Sequence, residues 1–229
     1  MLVQRAGILK GKFAGNAGIV LGNSPSVNMV DPKYFDPFIT IGVNRILRSE
    51  ITPNFILFCD KGVVDRELPW FKLYEGNYII YDHLTNWRGR IEGRPVFEFG
   101  LDAGRIKDDI PLSNTDKIKR AGTSPGYAIQ IAALWRLNPI GLIGVDFNAQ
   151  ELKKENKDSH FYGKGQDVRS SGGGRFEGRN QVFFSWFLQA CIKEGIQVYD
   201  LSPIEDAPFK KCGYPRLTIE EFYDKYRKV

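Results

Sequence analysis

The chain has 229 residues, a length that fits one domain with a sizeable hydrophobic core. Hydrophobic residues make up 42% and charged residues 26%, as in an ordinary soluble globular protein, so a disordered or low-complexity chain is excluded. The formal net charge of +5 favours anionic partners such as nucleotides, phosphorylated glycans or nucleic acid.

Cysteine usage and hydropathy indicate the cellular compartment. The three cysteines, Cys59, Cys191 and Cys212, are scattered and form no Cys-x-x-Cys pair, so neither a zinc site nor a disulfide framework is indicated. No apolar stretch approaches the length of a membrane span, and the N-terminus lacks the long apolar core of a signal peptide. These features predict a cytoplasmic protein that is at most peripheral to a membrane.

The first clear element is a buried strand over 17–21, which follows a basic, glycine-dotted segment typical of an edge strand or an arm. It stops at the polar turn Gly22-Asn23-Ser24-Pro25-Ser26. Gly22 permits an unusual backbone angle and the close approach of a ligand, and Ser24 or Ser26 could cap a following helix. A strand, a polar turn and a helix N-terminus together suit a nucleotide phosphate, although an ordinary strand-to-helix turn has the same appearance.

Further strands and helices alternate along the chain. Short apolar runs predict strands over 38–43, 54–60, 77–81, 140–146 and 196–200, with 96–99 as a further candidate. Apolar residues at helical spacing, or apolar all round, predict helices over 61–74, 127–137, 176–194 and 218–228. Such alternation is typical of an α/β fold with a mainly parallel sheet and both faces covered.

Proline, serine and threonine residues mark the expected helix ends. Pro69 is expected to kink or end the first helix. Ser124 is expected to be the N-cap of the second helix, with Pro125 at its first position. Thr218 and Glu221 have the spacing of a capping box, which predicts the start of the last helix.

Polar residues follow successive predicted strands, and ligands of open α/β sheets bind beyond the carboxyl ends of the strands. The residues expected there are Asn23, Ser24, Ser26, Asn44, Asp60 and Asp146, together with Thr123, Ser124 and the N–H groups beside Gly126. The pattern predicts a pocket for an anion and for a base or ribose. Each residue taken singly is also an ordinary turn or cap residue.

A polar segment over 148–175 follows the strand 140–146 and has the character of a lid. It contains His160 and Tyr162. Because imidazole titrates near neutrality, His160 could act as a general base toward a hydroxyl nucleophile, the alternative being a solvated loop histidine. His83, the only other histidine, is interpreted as a surface loop residue.

Six short motifs occur in collinear order between residues 17 and 203. They are Gly-Asn-Ser-Pro-Ser (22–26), Val-Asn-Arg (43–45), Phe-Cys-Asp (58–60), Gly-Thr-Ser-Pro-Gly (122–126), Leu-Ile-Gly-Val-Asp-Phe (142–147) and Ser-His-Phe-Tyr-Gly (159–163). In these motifs the chain resembles the bacterial lipooligosaccharide sialyltransferases. It is also similar to wider phage and bacterial relatives that include the 6-hydroxymethylpterin pyrophosphokinase-like group.

The resemblance implies a single Rossmann-like α/β domain over 1–229, with a lid over about 148–175. It implies a CMP-sugar donor in contact with Asn23, Ser26, Asn44 and Ser124, with Asp60 near the cytidine. It places His160 on the general base of those transferases, which are inverting and need no metal. Their longer lid carries tyrosines that stabilise the departing phosphate, and here Tyr162, Arg169 or Arg175 would take that role.

Three hypotheses about function follow. The first is a glycosyltransferase that moves a sugar from a nucleotide sugar to a glycan or another hydroxyl acceptor, with His160 as base and no cofactor. The second is Mg²⁺-dependent pyrophosphoryl transfer from ATP, with Asp60 or Asp146 as metal ligands. The third is a non-enzymatic module that binds nucleotides or nucleic acid and is built on the arginine- and glycine-rich segment 86–105.

Overall fold

The computed structural model describes residues 3–81, 95–102, 117–148 and 178–228, with the single positions 152, 155, 158, 160 and 161 between the last two ranges. These parts contain nine strands in one sheet. The strands are β1 (Val3–Arg5), β2 (Gly18–Leu21), β3 (Ile39–Val43), β4 (Phe55–Phe58), β5 (Asn77–Tyr81), β6 (Val96–Asp102), β7 (Lys117–Lys119), β8 (Ile140–Ile143) and β9 (Val198–Asp200). The α-helices described are α1 (Lys61–Leu73), α2 (Ser124–Leu134), α3 (Arg179–Lys193) and α4 (Ile219–Tyr226).

The sheet is parallel throughout its described part, with the strand order β1-β6-β5-β4-β3-β2-β8-β9 and β7 beside β6. Alternate residues of β2 and β4 pack on opposite faces. Val20 and Leu57 belong to a core formed with α2 and α3, whereas Leu21 and Phe58 belong to a core formed with α1 and α4. The predicted α/β fold, with a mainly parallel sheet and helices on both faces, is therefore confirmed.

Strand order defines where a ligand can enter. From β2 the chain adds β3, β4, β5 and β6 on one side, and it later returns to add β8 and β9 on the other side. The 3-10 helix Pro25–Met29 after β2 packs toward α1 and α4, while α3 follows β8 on the opposite face. The carboxyl ends of β2 and β8 thus form a topological switch point, where open α/β sheets have their ligand crevice.

The starts and ends of two helices can be compared with expectation. Pro69 does not end α1, which continues to Leu73, close to the predicted end at residue 74; Phe71 beyond the proline is buried and its carbonyl accepts a hydrogen bond from the Tyr78 hydroxyl, and a kink at Pro69 stays a prediction. The N-cap of α2 is Thr123 and not Ser124, since the Thr123 hydroxyl accepts a hydrogen bond from the Gly126 N–H at 3.3 Å.

One predicted strand is shorter than expected, and two predicted features near the chain ends are present. The predicted strand over 140–146 ends at Ile143, because Gly144 has a φ of +73° and turns the chain. The basic N-terminal segment does contain an edge strand, β1. The capping box of α4 is confirmed, with hydrogen bonds of 3.1 and 2.8 Å between Thr218 and Glu221. None of the helices in the described ranges is long and apolar enough to cross a membrane.

Candidate functional site

Two glycines bring the loops after β2 and β8 into contact at the switch point. The Gly22 N–H donates to the Ile143 carbonyl at 2.8 Å, and the Ser24 N–H donates to the Gly144 carbonyl at 3.0 Å. A Cβ atom on Gly22 would collide with the Gly144 carbonyl. The Gly22 backbone therefore makes a close approach to the neighbouring loop, and its φ lies outside the left-handed region. Nucleotide contact by Gly22 stays a prediction.

Two serine hydroxyls of the same turn hold the second loop in place. Ser24 Oγ accepts a hydrogen bond from the Asp146 N–H at 3.3 Å, and Ser26 Oγ accepts one from the Gly144 N–H at 3.1 Å. Ser26 is fully buried, whereas Ser24 is half-buried. These hydroxyls preorganise the crevice, and of the two Ser24 is the one that a ligand could reach.

Asp146 follows β8 and is fully buried, and its contact with a nucleotide stays a prediction. Its Oδ1 accepts a hydrogen bond from the Ser202 hydroxyl at 2.6 Å. Burial raises the pKa of Asp146, and the hydroxyls of Ser202 and Ser26 oppose this shift by favouring the charged carboxylate. The geometry therefore makes Asp146 a link between the loops after β8 and β9.

Two buried amide oxygens at this edge accept no hydrogen bond from any described residue. They are Oδ1 of Asn23, in the turn after β2, and Oδ1 of Asn148, in the loop after β8. A buried acceptor without a donor costs free energy, so such atoms call for a water or a ligand group that donates. Hydroxyl and amino groups of a nucleotide are donors of this kind.

A second polar cluster lies at the carboxyl ends of β3 and β4. The Ser124 hydroxyl donates to Asn44 Oδ1 at 3.1 Å, and Cys59 Sγ lies 3.4 Å from Ser124 Oγ. Asn44 has a φ of +51°, a left-handed conformation that asparagine tolerates better than most residues. The sequence placed Asn44 and Ser124 in one pocket but missed Cys59, whose position directly after β4 was the available signal.

An ion pair fixes the turn behind Asn44. Arg45 Nε lies 2.9 Å from Glu67 Oε1, and both side chains are almost completely buried. Arg48, which is partly exposed, contacts the same carboxylate at 2.7 Å. A buried guanidinium must be paired, so this cluster ties the turn after β3 to α1. Sequence reasoning did not find it, because the pairing residue belongs to another element.

Three predicted site residues have structural roles in the fold. Asp60 is exposed and caps α1, with Oδ1 accepting from the Gly62 N–H at 2.7 Å. Thr123 caps α2 in the same way. Gly126 is buried, and a larger residue would not fit because its Cβ atom would lie 2.5 Å from the Ala121 Cβ. Asp60 and Thr123 are therefore helix caps, the alternative role that the sequence left open, and Gly126 is a packing position. Contact of these three residues with a nucleotide stays a prediction.

His160 lies beside the turn after β2. The N–H of the next residue, Phe161, donates to the Asn23 carbonyl at 3.1 Å, and the Phe161 ring packs on the core formed with α1 and α4. The histidine is half-buried, and its Nδ1 atom is buried. The structure thus brings His160 close to Asn23, although the two residues are 137 positions apart in the sequence. Tyr162, most of the predicted lid and the arginines of the segment 86–105 lie outside the described residues.

Two solved structures with a similar fold are those of glycosyltransferases. The sialyltransferase CstII from Campylobacter jejuni, solved with the substrate analogue CMP-3FNeuAc, has a TM-score of 0.54 and 13% sequence identity, over 89% of this chain and 86% of CstII. The chain has a sialyltransferase-like fold. The Maf glycosyltransferase from Magnetospirillum magneticum AMB-1 has a TM-score of 0.55 and 11% identity.

The extent of these similarities differs. The match to the Maf glycosyltransferase covers 95% of this chain but only 38% of that protein. No protein-family model matches the chain, and no curated protein sequence does. The similarities therefore establish a sialyltransferase-like fold, and what the crevice of that fold binds is inferred below.

Proposed function

We propose that this protein is an inverting glycosyltransferase that transfers a sugar from a nucleotide sugar, a CMP-sugar, to an acceptor hydroxyl. The observation that carries the proposal is the docking of the His160–Phe161 segment on Asn23 at the switch point of a sialyltransferase-like sheet. A candidate base is thereby held beside the crevice in which such sheets bind ligands. The CMP-sugar analogue in the CstII structure supports the choice of nucleotide.

The donor would lie across the carboxyl ends of β2, β3 and β8. The Asn23 and Asn148 amide oxygens would accept hydrogen bonds from hydroxyl or amino groups of the nucleotide. Asn44 and Ser124, which already contact each other, would form the opposite wall. Ser24, Ser26 and Asp146 would act mainly by holding the loops in place.

His160 would act as the general base. It takes the proton from the acceptor hydroxyl, whose oxygen attacks the anomeric carbon from the face opposite the nucleotide. The bond between that carbon and the phosphate oxygen breaks, and CMP leaves with the electron pair, so the anomeric configuration inverts. Nε2 is the nitrogen that would receive the proton, because Nδ1 is buried. Tyr162 would stabilise the departing phosphate, and no metal enters these steps.

The test is nucleotide release from CMP-sialic acid and from UDP-, GDP- and ADP-sugars, with and without EDTA and with a panel of glycan acceptors. We expect CMP release that persists in EDTA and falls by at least about 10²-fold in His160→Ala, the size of a general-base contribution. His83→Ala is the matched control and keeps full activity. The proposal fails if no nucleotide sugar is consumed, or if His160→Ala is as active as the unmodified protein.

A parallel reaction with ATP, Mg²⁺ and hydroxymethylpterin separates the second hypothesis from the first. Strictly Mg²⁺-dependent formation of AMP, with no release of CMP in the first assay, would replace the glycosyltransferase proposal by pyrophosphoryl transfer.

A further inference from the structure

A groove of about 380 Å³ opens at the same edge of the sheet, next to the end of β9 and the start of α4. Residues from three segments line it, among them Met29, Leu201, Ser202, Glu205, Arg216 and Ile219. None of these residues was expected in the site. The lining combines apolar side chains with one cation, Arg216, and with the carboxylates of Glu205, Glu220 and Glu221, a mixture of polar and apolar groups that suits a sugar.

The groove is joined to the candidate donor site on two sides. Met29 ends the 3-10 helix Pro25–Met29, which begins directly after Ser24. Ser202 donates its hydroxyl to Asp146 at 2.6 Å, which connects the groove to the loop after β8. A molecule in the groove would therefore lie beside the crevice, as an acceptor must.

The cation of the groove is rigidly held. The Arg216 guanidinium donates to the Ser202 carbonyl at 2.7 Å, and its Nε lies 3.6 Å from the buried carboxylate of Asp200. Lys210, from the 3-10 helix Pro208–Cys212, is a second cation close by, and its side chain is only 21% exposed. Lys210 does not line the groove itself, and it meets Arg216 through the one carboxylate that both contact.

A single carboxylate lies between them. Glu205 is 2.9 Å from Lys210 Nζ and 3.0 Å from Arg216 Nη1, although its own side chain is 78% exposed. Lys210 and then Arg216 lower the pKa of Glu205 by hydrogen bonding to its charged form. An exposed carboxylate on a turn is the partner that moves most easily, because it loses little packing when it leaves.

We propose that this groove is the acceptor subsite, that its ligand is a sugar bearing a carboxylate or phosphate group, and that Glu205 is the internal stand-in which that group displaces. The acceptor role rests on the glycosyltransferase function proposed above. The anion-binding role does not, because it depends only on Arg216, Lys210 and Glu205.

Two other carboxylates line the groove. Glu221 accepts a hydrogen bond from the Thr218 N–H at 2.8 Å within the capping box, where the N-terminus of α4 compensates its charge. Glu220 is exposed and forms the rim. It provides a matched control, since Glu220→Gln and Glu205→Gln change the net charge of the groove equally.

The experiment is calorimetric titration of the full chain with glucuronate, glucose 6-phosphate and glucose, in saturating CMP so that the donor site is filled. We expect the two anionic sugars to bind and glucose to bind far more weakly. Glu205→Gln should tighten the binding of the anionic sugars about two- to fivefold, the range of an exposed ion pair, and Lys210→Met should weaken it. Glu220→Gln should leave it nearly unchanged.

The results separate this inference from the proposed function. Equal effects of Glu205→Gln and Glu220→Gln would overturn the stand-in role, and equal binding of glucuronate and glucose would overturn the anionic subsite. Either result would leave CMP binding intact.

Tight binding of glucuronate in a protein that binds no CMP would uphold the anion site and refute its role as an acceptor site. Stronger binding of glucose 6-phosphate than of glucuronate would assign the group as a phosphate.

Discussion

The hydrogen bond between Ser202 and Asp146 allows a quantitative test of how the crevice is held together. Ser202→Ala removes the hydroxyl that donates to the fully buried carboxylate at 2.6 Å and that accepts from the Ile204 N–H at 3.2 Å. The substitution deletes one oxygen atom, so it opens almost no cavity. Its effect is then mainly the loss of the hydrogen bond to Asp146.

The magnitude depends on the protonation state of Asp146. A hydrogen bond to an ionised group contributes about 1.5–3 kcal/mol, against about 1 kcal/mol for a bond between neutral groups. Burial raises the pKa of Asp146 in the folded protein, so protonation of this carboxyl favours folding. That contribution is complete below the unfolded pKa of about 3.9 and is lost as the pH rises through the folded value. Removing the Ser202 hydroxyl raises the pKa of Asp146 in the folded protein further, because that hydroxyl favours the charged carboxylate.

The assay is urea unfolding of the unmodified protein and Ser202→Ala at pH 7 and at pH 4.5. We expect the variant to lose about 2 kcal/mol of unfolding free energy where Asp146 is ionised and about 1 kcal/mol where it is protonated, so the loss should be smaller at pH 4.5 than at pH 7. Ser49→Ala is the control, since Ser49 Oγ donates to the neutral Ile46 carbonyl at 2.7 Å. Its cost should be the same at both pH values. Equal losses for Ser202→Ala at the two pH values would refute the reasoning.

Three further substitutions test other parts of the site. Gly22→Ala should destabilise the fold by about 1–3 kcal/mol, since its Cβ would collide with the neighbouring loop, whereas Gly62→Ala near the start of α1 should be close to neutral in the same thermal melts. Ser124→Ala removes the hydroxyl that donates to Asn44 and should weaken CMP binding, measured by calorimetry, about fivefold. An unchanged affinity would contradict the proposal that Ser124 and Asn44 belong to the donor site. Glu67→Gln should cost about 3–5 kcal/mol in urea unfolding because it strips a buried arginine of its charged partner, and a loss under 1 kcal/mol would contradict that account.

Much of the architecture follows from local sequence pattern. Short apolar runs bounded by polar turns located β2, β3, β4, β5, β8 and β9, because a strand covered on both faces needs apolar side chains in succession. Strand ends then indicated where polar residues would meet. The contact between Asn44 and Ser124 agrees with that expectation, whereas the position of His160 beside Asn23 was not indicated by the strand ends.

Errors arose where a residue had two possible partners. Ser124 and Thr123 are both suitable caps, and the choice fell to Thr123 because the Ser124 hydroxyl is turned toward Asn44. The partner of Asp146 was not predicted either, since Ser202 reaches it from a loop 56 residues further on, and ligand binding by Asp146 stays a prediction. No local pattern contains such a partner.

The sequence by itself determined the class of fold, the edge of the sheet at which polar groups gather and the chemistry available in the turn after β2. Only the tertiary structure decided that Gly22 serves contact with Gly144, that Asp146 is buried, and that Arg216 and Lys210 enclose Glu205 next to a groove. The physical reason is range. Propensity and periodicity act over neighbouring residues, whereas burial and ion pairing are set by segments that meet only when the sheet has formed.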